Sequence, residues 1–473
     1  MKAFIKTLPF LIAAFSFSGV HAQATYTAQN IGLLSNWDDP SVPAEPVYSI
    51  RYNGIWGWDD GNGNEYALIG ASSGVYFVNV TVPTAPVVAD FVPGHRTNCI
   101  WREIKTYGNY AYLVSDDASP NSFQIVDMQY LPDSVHVVHD SNTIFERSHT
   151  IFVDGNKLYC GTVKGGVFSS TAAMAVFDLT DPAQPTLLRK LNTDFPNLLP
   201  SNQVHDMFVR NDTVYASCGF DGLYIFKHNT AANNFTLHGS ITSYPSSGYN
   251  HSSALTDDGA TLVFMDEVPN GLPVKVYDVS DFSNMTFRST FQSNVGPTPH
   301  NPFMVGKTCY IAYYQDGLQV YDVSNPVQPV RLGYFDTHNQ TPWGGPYPSP
   351  AYQGAWGAYP YLPSGNVLVS DMQNGLFVLD VSSITTGLDA AVPAGQSVSI
   401  SPNPVAAGQE VLIKTSGLAS LVEISDTRGR VLTSSNALMN TEVRLSTSGL
   451  ESGLYLLRLT SADGVSVQRL VVR

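Results

Sequence analysis

Charge is scarce in this chain, and positive charge most of all. Of its 473 residues 13% are Asp, Glu, Lys or Arg, with 24 cationic against 39 anionic side chains. The deficit is concentrated: Gln23 to Val398 carries 15 Lys/Arg against 33 Asp/Glu, whereas Ser399 to Arg473 is near balance at 7 against 6. A large region so short of cations repels nucleic acid and anionic lipid, and suits cations or neutral ligands. The four cysteines (Cys99, Cys160, Cys218, Cys309) lie too far apart for a zinc motif or a dense disulfide framework, and are expected as buried thiols on strands. Beyond the first residues no apolar run is long enough to span a bilayer, so no transmembrane segment is expected. The chain also lacks a Gly-x-Ser-x-Gly elbow, a P-loop and a dinucleotide-binding fingerprint, which removes motif support for a nucleophilic hydrolase or a nucleotide enzyme.

What is present points to β-structure. Aromatics reach 11%, and 38 Gly and 30 Pro supply turns. Residues 1–22 have the form of a secretory leader. Lys2 and Lys6 precede an apolar stretch from Leu8 to Phe17, and Val20-His21-Ala22 forms the cleavage box. The product is therefore expected outside the cytoplasm.

Internal repetition is the strongest signal. An apolar alternation ending in Asp, followed by a small polar residue, recurs as Phe123-Gln124-Ile125-Val126-Asp127, Ala175-Val176-Phe177-Asp178, Val274-Lys275-Val276-Tyr277-Asp278, Leu318-Gln319-Val320-Tyr321-Asp322 and Leu376-Phe377-Val378-Leu379-Asp380. Asn79 and Lys227 occupy the same place in two weaker copies. The seven positions step by 48, 51, 49, 51, 44 and 58 residues, the period of a four-stranded propeller blade. Asp-Gly pairs at 154–155, 221–222, 258–259 and 316–317 provide the positive φ of tight turns. The repeated Asp is expected to bond to turn backbone. Asp60, Asn62 and Asn64 alternate like a calcium loop, but Glu65 stands where such a loop needs glycine, so a hairpin is expected.

The last copy lacks a fourth strand, and Asn30 to Trp37 resembles such a strand without a blade of its own. The expectation is all-β: a seven-bladed β-propeller over 23–383, closed by an N-terminal outer strand that removes two exposed sheet edges. A linker over 384–396 and a small C-terminal β-sandwich over 397–473 follow.

The tail resembles the type A sorting domains of the type IX secretion system. It carries Pro402-Asn403-Pro404, Asp426-Thr427-Arg428-Gly429-Arg430, Leu450 with Gly453-Leu454-Tyr455, and Arg469-Leu470-Val471-Val472-Arg473 in order. That resemblance implies handling by the type IX machinery through 397–473, removal of the tail, and a product released or held at the cell surface. The large region resembles LVIVD-repeat proteins of the choice-of-anchor B family. The carrying segments are Gly54-Ile55-Trp56-Gly57, Ile100-Trp101-Arg102-Glu103-Ile104 and Gly354-Ala355-Trp356-Gly357. This resemblance implies fold and export but no activity.

Aligning the copies by their first strand places an aromatic or imidazole at one position in each: Trp56, Trp101, His149, His205, His251, His300 and Trp356. Equivalent positions share one height around a propeller axis, so the four histidines are expected on one arc. Turns returning to that face carry Asp266, Glu267, Asp316 and Asp371, and Asp206 follows His205. Imidazoles with nearby carboxylates make a divalent transition metal the candidate cofactor, with metal-dependent catalysis as the alternative to simple binding. Against it, histidines and tryptophans also line channel walls as packing. A second candidate is an aromatic face for a peptide or glycan ligand, to which the 337–353 loop would contribute Trp343.

Overall fold

A computed structural model of the chain describes residues 26–117, 119–338, 352–387, 398–426, 431–461 and 464–473. The leader and most of the linker lie outside the described residues. The fold is all-β and β-propeller-like: many small antiparallel sheets, with two short helices, Leu191–Asp194 and Ser382–Gly387, among the described residues.

Among the described residues seven sheets precede the tail, five of them laid down wholly as successive neighbouring strands and the last two each taking one strand from the early segment. Their first strands are Tyr52–Asp59, Arg102–Tyr107, Thr150–Asp154, Asp206–Arg210, Asn250–Leu255, Asn301–Val305 and Ala355–Tyr359. Each packs on the first strand of the next sheet, and Ala355–Tyr359 packs on Tyr52–Asp59. Third strands such as Gly375–Asp380 read as continuous apolar runs because both faces are buried between neighbouring sheets. Fourth strands such as Thr286–Phe291 are half exposed and correspondingly polar. Apolar cores sit between successive sheets, and one core joins the last sheet to the first through Leu368, Leu376, Tyr52 and Ile69.

The repeated aspartate is a turn device. The side chains of Asp127, Asp178, Asp278, Asp322 and Asp380 each accept the backbone N–H two residues on, at 2.7–3.0 Å, and Asn79 does the same for Thr81. Where Lys227 replaces it, the ammonium instead donates to the Asn211 carbonyl. Asp60 likewise accepts from the N–H groups of Asn62 and Asn64 in a hairpin, as the missing glycine led one to expect. All four cysteines are buried and unpaired, Cys160 and Cys309 on strands and Cys99 and Cys218 just outside them.

The early segment pairs with the final sheet. Gly32–Trp37 lies antiparallel to Gly375–Asp380, with Leu33 opposite Leu379. Ala28–Gln29 also pairs with Val330–Phe335 and extends the sixth sheet to five strands, which the repeat pattern did not announce. Trp37 holds this join through edge contacts with Tyr76 and Tyr52, at 5.1 and 6.0 Å between ring centroids. Trp37→Ala should lower unfolding free energy by about 2 kcal/mol in urea titrations, because a half-buried indole leaves a cavity across the join.

In the tail two long strands, Glu410–Ser425 and Val431–Ser446, run on with no proline to interrupt either. The first half of Glu410–Ser425 pairs with Val398–Ser401 and the second with Gly453–Ser461. The tail's five strands thus make one branched antiparallel sheet in which Glu410–Ser425 changes partners at a register shift. Val411, Ile413, Val422, Ile424, Leu457 and Leu470 form the tail's own core.

Candidate metal centre

Backbone irregularity aims the key side chains. In the fifth and seventh sheets the first strand shifts register between Asn250 and Ser252 and between Ala355 and Gly357, so His251 and Trp356 are each the extra residue. A bulge of this kind re-aims one side chain out of the sheet face. Trp101, His149, His205 and His300 stand immediately before their strands. The backbone N–H groups of these three histidines donate to Gly161, Ser217 and Ala312 of the adjacent second strand.

The result is a circuit of six rings. Centroids are 6.3 Å apart for Trp101–His149, 4.0 Å for His149–His205 and 4.5 Å for His205–His251. They are 4.2 Å for His251–His300, 4.5 Å for His300–Trp356 and 5.2 Å for Trp356–Trp101.

Trp56 is not in the circuit, contrary to the alignment of the two Gly-x-Trp-Gly segments. In the first sheet the register shift falls between Tyr52 and Ile55, and the equivalent position is Asn53, which donates to the Ile100 carbonyl at 2.9 Å. Trp56 matches Tyr359 instead, since both face Leu at the same level of the second strand (Leu68 and Leu368). Three residues along a strand is about 10 Å. There Trp56 lies under the Lys105 ammonium and donates to Thr106.

The four imidazoles differ in charge. Burial works against protonating His149, but the Asp116 carboxylate, 2.5 Å from Nδ1, outweighs it and raises the group to about 9. His149 is therefore an imidazolium at neutral pH. Burial drives His205 and His251 well below the ordinary value, with further depression from neighbouring histidines, and it holds His300 at about 3. His205 Nδ1 donates to the His251 carbonyl at 3.3 Å, and His300 Nδ1 to the Trp356 carbonyl at 2.6 Å. These bonds assign the proton to Nδ1 and leave Nε2 of both rings as a bare lone pair. His251 Nδ1 is buried without a hydrogen bond of good geometry, the His300 carbonyl being the acceptor on its side.

Of the carboxylates, Glu267 joins the imidazoles. It is buried, which raises its pKa, it accepts from the Tyr314 hydroxyl at 2.7 Å, and Oε2 lies 3.8 Å from His251 Nε2. One ligand atom from each of His205, His251 and Glu267 falls within 4.8 Å of the others. Asp206 lines the space below the rings, accepting from Thr150 at 2.9 Å, and burial raises it to about 6.

The other expected carboxylates are engaged elsewhere. Asp266 is fully buried in an ion pair with Lys275 at 2.5 Å and accepts from Tyr244. Asp316 accepts from Asn294, and Asp371 from Thr337 and the turn N–H groups of Gln373 and Asn374. Each returns to the expected end of its sheet but is consumed by its own turn or neighbour. Trp343 lies outside the described residues. Residues that strand alignment missed are Asn53 and Tyr314. Tyr314 stands at the turn position that Glu267 fills in the preceding sheet, so aligning turns as well as strands would have flagged it.

The fold defines an all-β protein with a β-propeller-like body and a small β tail. The family models agree: LVIVD repeats match at residues 101–129 and 304–337, and a secretion system C-terminal sorting domain matches at 399–473. The sorting domain marks the chain for type IX export to the cell surface or the medium. No helix among the described residues is long and apolar enough to cross a membrane. No curated protein shows a significant match. Two solved structures are similar in outline, both described as candidate 6-phosphogluconolactonases. The one from Bacteroides uniformis is 14% identical, with TM-score 0.46, covering 67% of this chain and 88% of its own. The one from Bacteroides fragilis is 14% identical, with TM-score 0.45, covering 72% and 95%. Likeness at this level carries no activity across.

Proposed function

We propose that the protein is a seven-bladed propeller, displayed or released by type IX export, that holds a divalent transition metal at its axis through His205, His251 and Glu267. One observation carries this reading: two neutral imidazoles and a buried carboxylate converge within 4.8 Å. The cyclic succession of first strands and the core between last and first sheets support the circular layout. The donor set suits zinc, copper, nickel or iron. A bond length of about 2 Å requires the three side chains to close slightly on the ion. The His205 Nδ1 bond to a carbonyl is the kind of support that orients a metal-bound imidazole. Three protein ligands would leave a coordination position open, at which a bound metal would supply Lewis acidity to water or a small ligand.

The test is metal analysis of the purified protein. After dialysis and titration with zinc, copper, nickel and iron it should retain about one equivalent of one of them, removable by chelator without unfolding. A folded chain that takes up none overturns the reading. The aromatic group of Tyr48, Trp101, Tyr352 and Trp356 favours a metal-free ligand-binding role in that event.

A further inference from the structure

A second cavity, of about 560 Å³, lies between the propeller-like body and the sorting tail, at the level of Trp56 rather than of the histidines. That volume is in the range of small-molecule sites, about 300–1,000 Å³, which favour domain interfaces. On the body side, Trp56, Tyr359 and Tyr361 make a chain of edge contacts at 4.9 and 5.3 Å between centroids. Phe208, Met304 and Leu362 are among the other apolar side chains that line it.

Several of the polar groups around it already have partners within the protein. The Tyr361 hydroxyl donates to the Met304 carbonyl at 3.1 Å and accepts the Met304 N–H at 3.2 Å, so this residue offers the cavity its ring. Arg210 donates to the carbonyls of Thr256 and Leu255, and Arg469 to that of Ser382. Asp257 accepts from the Gly306 N–H and Asp380 from the Ser382 N–H. A ligand that pairs with these groups competes with the partners they already have, whereas one that lies on the aromatic and aliphatic lining does not.

The tail side has its own anomaly. Along Gly453–Ser461, Tyr455, Leu457 and Leu459 enter the tail's core, so the alternate positions should be polar in an independent sheet. Leu454 and Leu456 stand there instead, half-buried, and both line the cavity.

We infer that this cavity binds a small, uncharged, ring-bearing apolar molecule, and that the sorting tail supplies one of its walls. The site is then complete only while the tail is attached, and cleavage after export dismantles it.

The inference is independent of the metal reading and is tested on the full chain with N-phenyl-1-naphthylamine, a neutral two-ring dye that brightens in apolar sites. A saturable increase with one site per chain is expected. Leu454→Ala/Leu456→Ala should weaken it about tenfold, equivalent to about 1.4 kcal/mol. Leu456→Trp, which fills the space, should abolish it, and His205→Ala should leave it unchanged. Both tail variants leave every body residue in place, and an unaltered melting profile of the body confirms this. Absence of saturable dye binding, or an affinity unmoved by both tail variants, overturns the inference.

Discussion

His205→Ala and His251→Ala each lower affinity for a divalent transition metal by at least about a hundredfold, measured by calorimetric titration or competition with a chromophoric chelator. The scale follows from coordination chemistry: losing a group that merely orients a ligand costs about 10- to 100-fold, and losing a ligand costs more. Glu267→Gln keeps the shape and the bond from Tyr314 but removes the anion, and should weaken binding by about tenfold or more. His149 separates ligation from proximity. Its ring is 4.0 Å from that of His205, yet its paired Asp116 keeps it cationic, with no lone pair to give. His149→Ala therefore does not lower affinity. A loss at His149 equal to that at His205 would mean that the arc binds through all its imidazoles and that the three-ligand assignment is wrong.

Much of this arrangement could be read from the chain before any coordinates. The turn-capping aspartates recur because a side-chain acceptor two residues before an N–H is a local device, and local devices leave regular spacing. The four histidines were legible for the same reason: each immediately precedes, or sits in, a strand whose partner is fixed by the following hairpin. Trp56 was misplaced because the segments around Trp56 and Trp356 look alike while their register differs. A bulge of one residue is invisible in a pattern of period two until the partner strand is known. Nor could the sequence separate Glu267 from Asp266. They are adjacent, Asp266 ending a strand and Glu267 following it, but one side chain meets Lys275 within its own sheet and the other reaches Tyr314 of the next. Lys275 was legible only as a member of a repeat phrase, and its buried charge is what claims Asp266.

Acid should unfold the metal-free parent more readily than His300→Gln. His300 is held at about 3 by burial, whereas an unfolded histidine titrates near 6.5. Between those values the unfolded chain takes up a proton that the folded chain refuses, so stability is lost as pH falls from about 6.5 toward 3. Each pH unit inside that window is worth about 1.4 kcal/mol, and at about pH 4 the single group has cost about 3 kcal/mol. Glutamine cannot titrate, but its amide can still donate to the Trp356 carbonyl that His300 Nδ1 serves. The variant's unfolding free energy, from urea titrations in chelator between pH 7 and 4, should thus fall less steeply than the parent's by about that amount. His205 and His251 act with the same sign, their folded values being depressed as well. His149 has the opposite sign and another window: raised to about 9, it contributes stability below about 6.5 that is lost as pH rises through 9. Asp206, raised to about 6, holds a proton in the folded chain that the unfolded one releases above about 4, so acid relieves rather than adds to its cost. Because these contributions overlap, the parent's profile alone decides nothing and the difference between parent and variant is the measurement. Parallel profiles would show that His300 is solvated and protonated like any surface histidine. A divergence of the expected size would show that the arc keeps a bare imidazole lone pair several pH units below where histidine normally loses it, the property a metal ligand at the axis requires.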